Sequence, residues 1–217
     1  NSDKPQTSKP STDVEKYSYF IGFSTGANLR FDSLQVSNEY LVQGYLDAMS
    51  GDSIGAKALL NEEEREQAQK LLDSVISTQH KKRIEAEYGD VKADGEKFLA
   101  ENKKKPGVIT LPSGLQYKIL KKGAGAKPGK HSQVLMHILA KFINGQIFDN
   151  TNDREPVVLP VDQLIPGWQE IVPMMPVGSK WEVVIPQELA YGEKGAGGVI
   201  PPYATLIFEM ELLDIKK

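Results

Sequence analysis

Side chains with reactive chemistry are sparse in this sequence and show no catalytic spacing. Three histidines, His80, His131 and His137, could ligate a metal or relay a proton, but their spacing matches no ligand pattern such as H-E-x-x-H. The sequence contains no cysteine, which excludes disulfides, thiol nucleophiles and thiolate ligands. No histidine and aspartate partners are arranged around a serine, as acyl transfer requires. We therefore expect no metal and no cofactor.

Two segments that contain glycine do not match phosphate-binding loops. Residues 127–131, KPGKH, lack the serine or threonine that follows Gly-Lys in a phosphate loop, and we expect a turn there. Residues 192–198, GEKGAGG, miss the dinucleotide fingerprint and precede no helix, so we expect a flexible loop.

Aromatic and aliphatic residues, by contrast, follow a long and rare order through residues 106–217. The pattern consists of FDNTNDREP, LIPGWQEIVPMMPVGSKWEVVIP and ELAYGEKGAGGVIPPYATLIFEMELL. In order and spacing these segments resemble the FKBP-type peptidyl-prolyl cis-trans isomerases. The resemblance implies an FKBP-like sheet domain that needs no cofactor. It also implies that proline-containing peptides and unfolded client proteins are partners, and that macrolide inhibitors bind.

The resemblance assigns roles to individual residues of one pocket. Trp168 would be the floor, Tyr191 and Ile200 would orient the peptide, and Asp149 would lie near the substrate carbonyl. The implied catalytic residues are Asp149, Tyr191 and Phe208. The implied substrate-binding residues are Ile138, Phe148, Val157, Leu164, Ile165, Trp168 and Ile200.

The implied reaction needs no proton transfer and no covalent intermediate. Rotation about a prolyl peptide bond breaks amide resonance, which gives a barrier of ~18–20 kcal/mol and an uncatalysed step of tens of seconds. The planar amide is more dipolar than the twisted one, so an apolar pocket disfavours the planar form while a few polar groups favour the twisted state.

Four positions depart from the family pattern. Ile138 stands where the family usually has a tyrosine, and losing a hydroxyl partner costs ~1–3 kcal/mol, or roughly five- to a hundred-fold in rate. Val157 and Ala196 replace frequent aromatic residues, and Ile171 replaces a frequent glycine. We expect an isomerase with reduced activity. The alternatives are a dimeric chaperone that binds clients on a degraded pocket with little or no turnover, and a purely structural dimer.

The region before the pocket has helical periodicity. One apolar stripe begins at Asp13, and a second helix is expected after Ser37, with Gly51 as its end. This region resembles the dimerising segment of the bacterial macrophage infectivity potentiator group. Its exposed aromatic residues need a cover, so we expect a homodimer.

A third helix is expected from Glu62 to about Lys104, opened by a capping box of Asn61 and Glu64. Its second half carries many charges and few apolar residues, so we expect it to be solvated. The alternative is a coiled-coil partner for this half.

Residues 1–12 are rich in Ser, Thr and Pro and are expected to form a flexible tether. With a net charge of −3, the sequence lacks the basic character typical of nucleic-acid-binding proteins. No apolar run approaches the ~20 residues of a membrane span. We expect a periplasmic, outer-membrane or surface-anchored protein, whose only membrane contact would be an N-terminal anchor removed upstream.

The periodicity changes to alternating strands after Pro106, with a turn at Asn144-Gly145 and one short helix at residues 167–172. The expected strands cover residues 115–119, 134–143, 146–149, 180–185 and 204–213. The fold class is therefore α+β. We expect a tether at 1–12, a helical dimerisation region at 13–60, a long connecting helix at 61–105 and an isomerase domain at 106–217. In the last of these, an antiparallel sheet would wrap on the short helix.

Overall fold

The computed structural model describes residues 8–50 and 58–216, and the chain divides into two units. The first ends at Arg83 and the second begins at Ile84, inside a long helix. Most of the expected tether and the expected helix end at Gly51 lie outside the described residues. No helix in the described ranges combines the length and apolar character that a membrane span requires.

The first unit contains helices α1 (Asp13–Phe31) and α2 (Asn38–Met49) and the beginning of α3 (Glu62–Asn102). A capping box closes the start of α1, in which Thr12 and Glu15 each bind the other's backbone N–H. The same reciprocal pair opens α3, where the Asn61 and Glu64 side chains accept each other's backbone N–H at 3.0 and 2.9 Å. The expected capping box at Asn61 is therefore present.

Helices α1 and α2 contain no buried residue, although both are rich in apolar side chains. Their exposed large apolar residues are Val14, Tyr17, Tyr19, Phe20, Ile21, Phe23, Phe31, Tyr40, Leu41, Val42, Tyr45, Leu46 and Met49. Large exposed apolar patches of this kind commonly mark sites of interaction.

In the second unit, the later half of α3 packs against the sheet. The Asn102 amide donates to Oε1 of Gln116 at 2.9 Å, and Nε2 of Gln116 donates to the Leu99 carbonyl at 2.9 Å. Gly95 is buried against Thr205, and Val91 packs on the hydrophobic core. The expectation that this half is solvated is therefore wrong, because a glycine and a matched amide pair let a highly charged helix dock closely.

The sheet of the second unit is antiparallel and contains seven strands. In order across the sheet they run β1-β2-β6-β7-β3-β4, and β5 also pairs with β3. The strands are β1 (Val108–Thr110), β2 (Gln116–Lys121), β3 (Gln133–Phe142), β4 (Ile147–Asn150), β5 (Val157–Pro160), β6 (Lys180–Ile185) and β7 (Leu206–Lys216). The alternation had predicted all of them except the short β1 and β5.

One face of the sheet carries the core. Alternate residues of the two longest strands are buried, on β3 from Val134 to Ala140 and on β7 from Leu206 to Leu212. Helix α4 (Pro166–Ile171) lies on this core, and Gly167 lets it approach Ile185 of β6, because a Cβ there would lie 2.6 Å from the isoleucine methyl group. The α+β class, with a sheet wrapped on a short helix, is confirmed. The dimerising role of the first unit and the expected domain bounds stay predictions.

Candidate active site

Three aromatic rings form the centre of the candidate site. Trp168 on α4 meets Phe208 of β7 edge to face, with centroids 5.2 Å apart and planes at 90°. Phe148 of β4 meets the same ring at 6.3 Å and 83°. Edge-to-face pairs align the positive edge of one ring with the negative face of another, which fixes their relative orientation. The rings therefore form a rigid apolar wall and floor.

Strand register brings Asp149 to the rim of this wall. Asp149 pairs directly with Ala140, and Ala140 pairs on its other side with Phe208. Residues directly opposite each other on neighbouring strands share a face, so the carboxylate lies on the face that carries the aromatic rings. Its side chain is 49% exposed and accepts a hydrogen bond from Nη2 of Arg154 at 2.7 Å. The arginine holds the carboxylate at the mouth of the pocket.

Tyr191 and Ile200 lie on either side of the glycine-rich loop. Tyr191 is 37% exposed, while Ile200 is buried in the core cluster. Ile200 and Ala196 exchange two backbone hydrogen bonds of 2.9 Å, which close the loop as a small bridge. Gly195 has a φ of +59° there. The predicted flexible loop is thus a closed turn that presents the Tyr191 side chain to solvent.

The segment before α4 carries two wall residues, Leu164 and Ile165, both half-buried against the core. The side chain of Gln169, on α4, contacts the backbone of this segment. Its Nε2 donates to the Leu164 carbonyl at 2.7 Å and to the Asp162 carbonyl at 3.3 Å. The Gln169 amide therefore ties the segment that carries Leu164 to α4.

Ile138 and Val157 belong to the same hydrophobic cluster. Ile138 is buried on β3, where its N–H donates to Oγ1 of Thr151 at 2.7 Å, and Val157 begins β5 opposite Met136. An aliphatic side chain fills each position where the family pattern has an aromatic ring. The pocket is consequently less polar at Ile138 and less aromatic at Val157.

The structure thus gathers the apolar residues assigned from the resemblance into one cluster. These are Ile138, Phe148, Val157, Leu164, Ile165, Trp168, Ile200 and Phe208. Asp149 and Tyr191 remain exposed at its edge. The indole Nε1 of Trp168 is buried and, among the described residues, has no hydrogen-bond partner.

Sequence reasoning missed three supporting residues. Arg154 pairs with Asp149, Gln169 holds the Leu164 segment, and Phe142 stacks on Phe148 with centroids 4.7 Å apart. The REP tripeptide shortly after Asp149 was the available signal for Arg154. Neither Gln169 nor Phe142 has a signal in the sequence, because their partners are set by the turn into α4 and by the bulge at Phe148 in β4.

The described residues contain no group of three or more His, Cys, Asp or Glu side chains that could hold a metal. Ser24 lies in a G-x-S-x-G pattern that the expectation against acyl transfer did not weigh. It lies inside α1, whereas a nucleophilic serine of this pattern needs a strand-to-helix turn. Ser53, in the same pattern, lies outside the described residues.

Comparison with known families matches both parts of the chain. Residues 124–213 match the family described as FKBP-type peptidyl-prolyl cis-trans isomerase. Residues 14–119 match the domain amino-terminal to FKBP-type peptidyl-prolyl isomerase. Together the two matches cover most of the chain.

Individual proteins are similar over almost the full length. The outer membrane protein MIP of Legionella longbeachae is 40% identical over 95% of this chain and 87% of its own. The FKBP-type 22 kDa peptidyl-prolyl cis-trans isomerase of Escherichia coli K12 is 42% identical over 91% of this chain and 93% of its own. The crystal structure of FkpA from Escherichia coli is 31% identical, with a TM-score of 0.60 over 95% of this chain and 98% of that one.

Proposed function

The chain belongs to the FKBP-type peptidyl-prolyl cis-trans isomerases, and we propose that it isomerises Xaa-Pro bonds in the pocket around Trp168, Phe208 and Asp149. The activity is that of a peptidyl-prolyl cis-trans isomerase that assists protein folding. One observation carries the assignment of the site: the edge-to-face contacts of Trp168 and Phe148 with Phe208, beside a half-exposed carboxylate.

The pocket acts on the amide through its surroundings. The proline ring of the substrate packs on Trp168 and Phe208, and its amide then leaves water for an apolar cavity. Because the planar amide is the more dipolar form, it loses more solvation than the twisted form, and the barrier falls. No bond is made or broken except the partial double bond of the amide itself.

Polar groups at the rim stabilise the twisted amide selectively. Asp149 approaches the carbonyl carbon, whose positive character grows as resonance with nitrogen is lost. Tyr191 is exposed at the loop edge and can donate its hydroxyl to a peptide carbonyl, which orients the chain across the pocket.

The assignment is tested by the rate of cis-trans exchange in a panel of Xaa-Pro peptides, followed by NMR with and without protein. We expect acceleration by the wild type and a large loss in Asp149→Ala. No acceleration by folded protein would instead favour the alternative, a chaperone that binds clients without turnover. Full activity in Asp149→Ala would overturn the placement of the site.

We also propose that the first unit forms a homodimer. The apolar residues of α1 and α2 have no cover among the described residues. Gly22, Gly26 and Gly44 leave open space at the helix surfaces, since a Cβ built at each meets no atom within 4 Å. A second copy of the same helices fits both features, because small residues let helices approach closely while their neighbours bury apolar area. The wild-type mass in solution tests this proposal.

The name of one relative supports a proposal about the cellular location of the chain. One relative is named an outer membrane protein, and we propose a cell-envelope location for this chain, in the periplasm or at the outer membrane surface. Fractionation of the native host with an antibody to the chain tests it. Recovery with the cytoplasmic fraction would contradict the proposal.

A further inference from the structure

Tyr203 adopts a backbone conformation that bulky residues rarely take. Its φ is +62°, in the left-handed region, and its side chain is only 6% exposed. Left-handed geometry brings the Cβ of an L-residue close to the next carbonyl, a conflict that glycine avoids and an aromatic residue does not. Such strain persists where surrounding contacts fix the residue, and it concentrates near functional sites.

The backbone of Tyr203 joins two parts of the candidate pocket. Its N–H donates to the Gly192 carbonyl at 2.9 Å, directly after Tyr191 in the chain. Tyr203 also follows Ile200 by three residues. Tyr191 and Ile200 orient the peptide in the proposed site. Through this hydrogen bond and its place in the chain, Tyr203 therefore fixes the backbone next to both of them.

The side chain of Tyr203 faces helix α3. Nζ of Lys92 lies 5.6 Å from the centroid of the tyrosine ring, within the range of a cation–π contact. One turn further along the same helix, a Cβ on Gly95 would lie 2.5 Å from Oγ1 of Thr205. The helix therefore touches the segment after Ile200 at two successive points, and glycine is required for the second.

We propose that Lys92 and Tyr203 are positioning residues for the isomerase site, through which helix α3 sets the place of Tyr191 and the glycine-rich loop. The Lys92 ammonium group fixes the Tyr203 ring, and the ring fixes the strained backbone of Tyr203. The backbone N–H of Tyr203 then fixes the loop through its hydrogen bond to the Gly192 carbonyl. The inference rests on the proposed function of Tyr191 and Ile200 and names a part of α3 as a support of that site.

The test uses the full chain and matched variants at one helix. Lys92→Met removes the cation and keeps the aliphatic stem, Lys92→Arg keeps the cation, and Lys97→Met is the control at an exposed position on the same helix. NMR exchange on an Xaa-Pro peptide at several concentrations gives kcat and KM. Because one cation–π contact is weak, we expect kcat/KM of Lys92→Met to fall about two- to five-fold, mainly through KM. Lys92→Arg and Lys97→Met should match the wild type.

A second readout separates positioning from loss of stability. The amide resonances of Tyr191 and Gly192 should shift in Lys92→Met and stay in place in Lys97→Met. Tyr203→Phe keeps the ring and should keep KM, whereas Tyr203→Leu should raise it as Lys92→Met does. Equal KM values in Lys92→Met and Lys92→Arg, or unmoved loop resonances, would overturn the inference.

Asp149→Ala, measured in the same assay, distinguishes this inference from the proposed function. If Asp149→Ala loses activity and Lys92→Met does not, the pocket assignment stands and only the positioning role fails. If Asp149→Ala keeps full activity, the pocket assignment itself fails, and the inference that rests on it fails with it.

Discussion

Trp168 meets Phe208 edge to face at 5.2 Å, with the two ring planes perpendicular. The contact links the short helix to the centre of the sheet, and both rings are more than nine-tenths buried. A perpendicular pair forms an L-shaped apolar corner. In the function proposed above, the compact and apolar proline ring of the substrate packs on this corner.

We predict that Trp168→Leu lowers kcat/KM at least about ten-fold, because it removes the aromatic floor and its N–H donor. A large-to-small change at a buried aromatic residue also costs about 3–5 kcal/mol of stability. Trp181→Leu is the matched control, since Trp181 lies on β6, is as buried as Trp168 in the same core, and stacks on Tyr117 instead. Assayed below both melting temperatures, Trp181→Leu should keep its kcat/KM. Equal losses in the two variants would mean that the Trp168 effect is only one of stability.

Asp149→Ala is expected to lower kcat/KM by roughly five- to a hundred-fold, the range of one lost polar partner at ~1–3 kcal/mol. Its thermal stability should change little, because the ion pair with Arg154 is exposed and such pairs contribute ~0–1 kcal/mol. Glu155→Ala removes an exposed carboxylate from the loop that follows β4 and serves as the control. NMR exchange and a thermal melt on each variant check the prediction, which fails if Glu155→Ala is equally impaired.

Ile138→Tyr is expected to raise kcat/KM a few-fold. Ala140 is opposite Asp149, so Ile138, two residues earlier on β3, is diagonal to that carboxylate. Aromatic side chains reach a diagonal neighbour ~7–8 Å away, which brings a tyrosine hydroxyl near Asp149.

Ile138→Phe supplies the ring without the hydroxyl and is the control for this gain. Both variants should lose ~1–3 kcal/mol of stability, because larger rings overpack a filled core. A gain in kcat/KM that Ile138→Phe shares would show that ring size, and not the hydroxyl, limits this enzyme.

Local patterns in the sequence predicted most elements of the fold. The capping box at Asn61, the turn at Asn144-Gly145 and the alternation along β3 and β7 are interactions between residues close in sequence, so a pattern reveals them. The strands β1 and β5 are too short to show alternation. The docking of α3 is set by pairs distant in the chain, such as Gly95 with Thr205 and Asn102 with Gln116.

The candidate site, like the fold, combines residues that a sequence pattern names with residues that only the three-dimensional structure reveals. The resemblance named the pocket residues one by one, and the structure gathers the apolar ones in a single cluster. It could not name Gln169, whose amide donates to the Leu164 carbonyl, or Tyr203, whose φ is positive and whose ring lies beside Lys92 of α3. Supporting residues of this kind depend on backbone geometry, which a motif does not encode.

Helix α1 should respond to acid through its capping box. Backbone N–H groups of Thr12 and Ser11, together with the Ser11 hydroxyl, lower the pKa of Glu15 from its ordinary 4.5 to about 2. Since the pKa is lower in the folded state, the stabilising contribution is fully present above pH 4.5 and is lost as the pH falls from 4.5 towards 2. Carbon NMR of the Glu15 carboxyl measures it directly, and Glu15→Gln should remove this pH dependence. A titration midpoint near 4.5 would contradict the cap.

The final prediction concerns the uncovered helices. Phe20→Asp places a charge in the apolar stripe of α1, and a buried unpaired charge opposes association strongly. Light scattering should give the wild type about twice the 24.0 kDa of one chain and Phe20→Asp the mass of one chain. Ser18→Asp adds the same charge about 200° around the helix from Phe20, at 3.6 residues per turn, and should remain a dimer.

Activity assays on these variants should distinguish isomerisation of short peptides from action on unfolded protein clients. A short peptide occupies one pocket, so Phe20→Asp should keep its kcat/KM on peptides. An unfolded protein can occupy two pockets at once, and linkage of two weak sites raises avidity. Refolding of a proline-limited protein client should therefore slow in Phe20→Asp and not in Ser18→Asp. A wild-type chain that is monomeric at micromolar concentration would refute the dimer, and equal refolding rates in all three proteins would refute the role of bivalency.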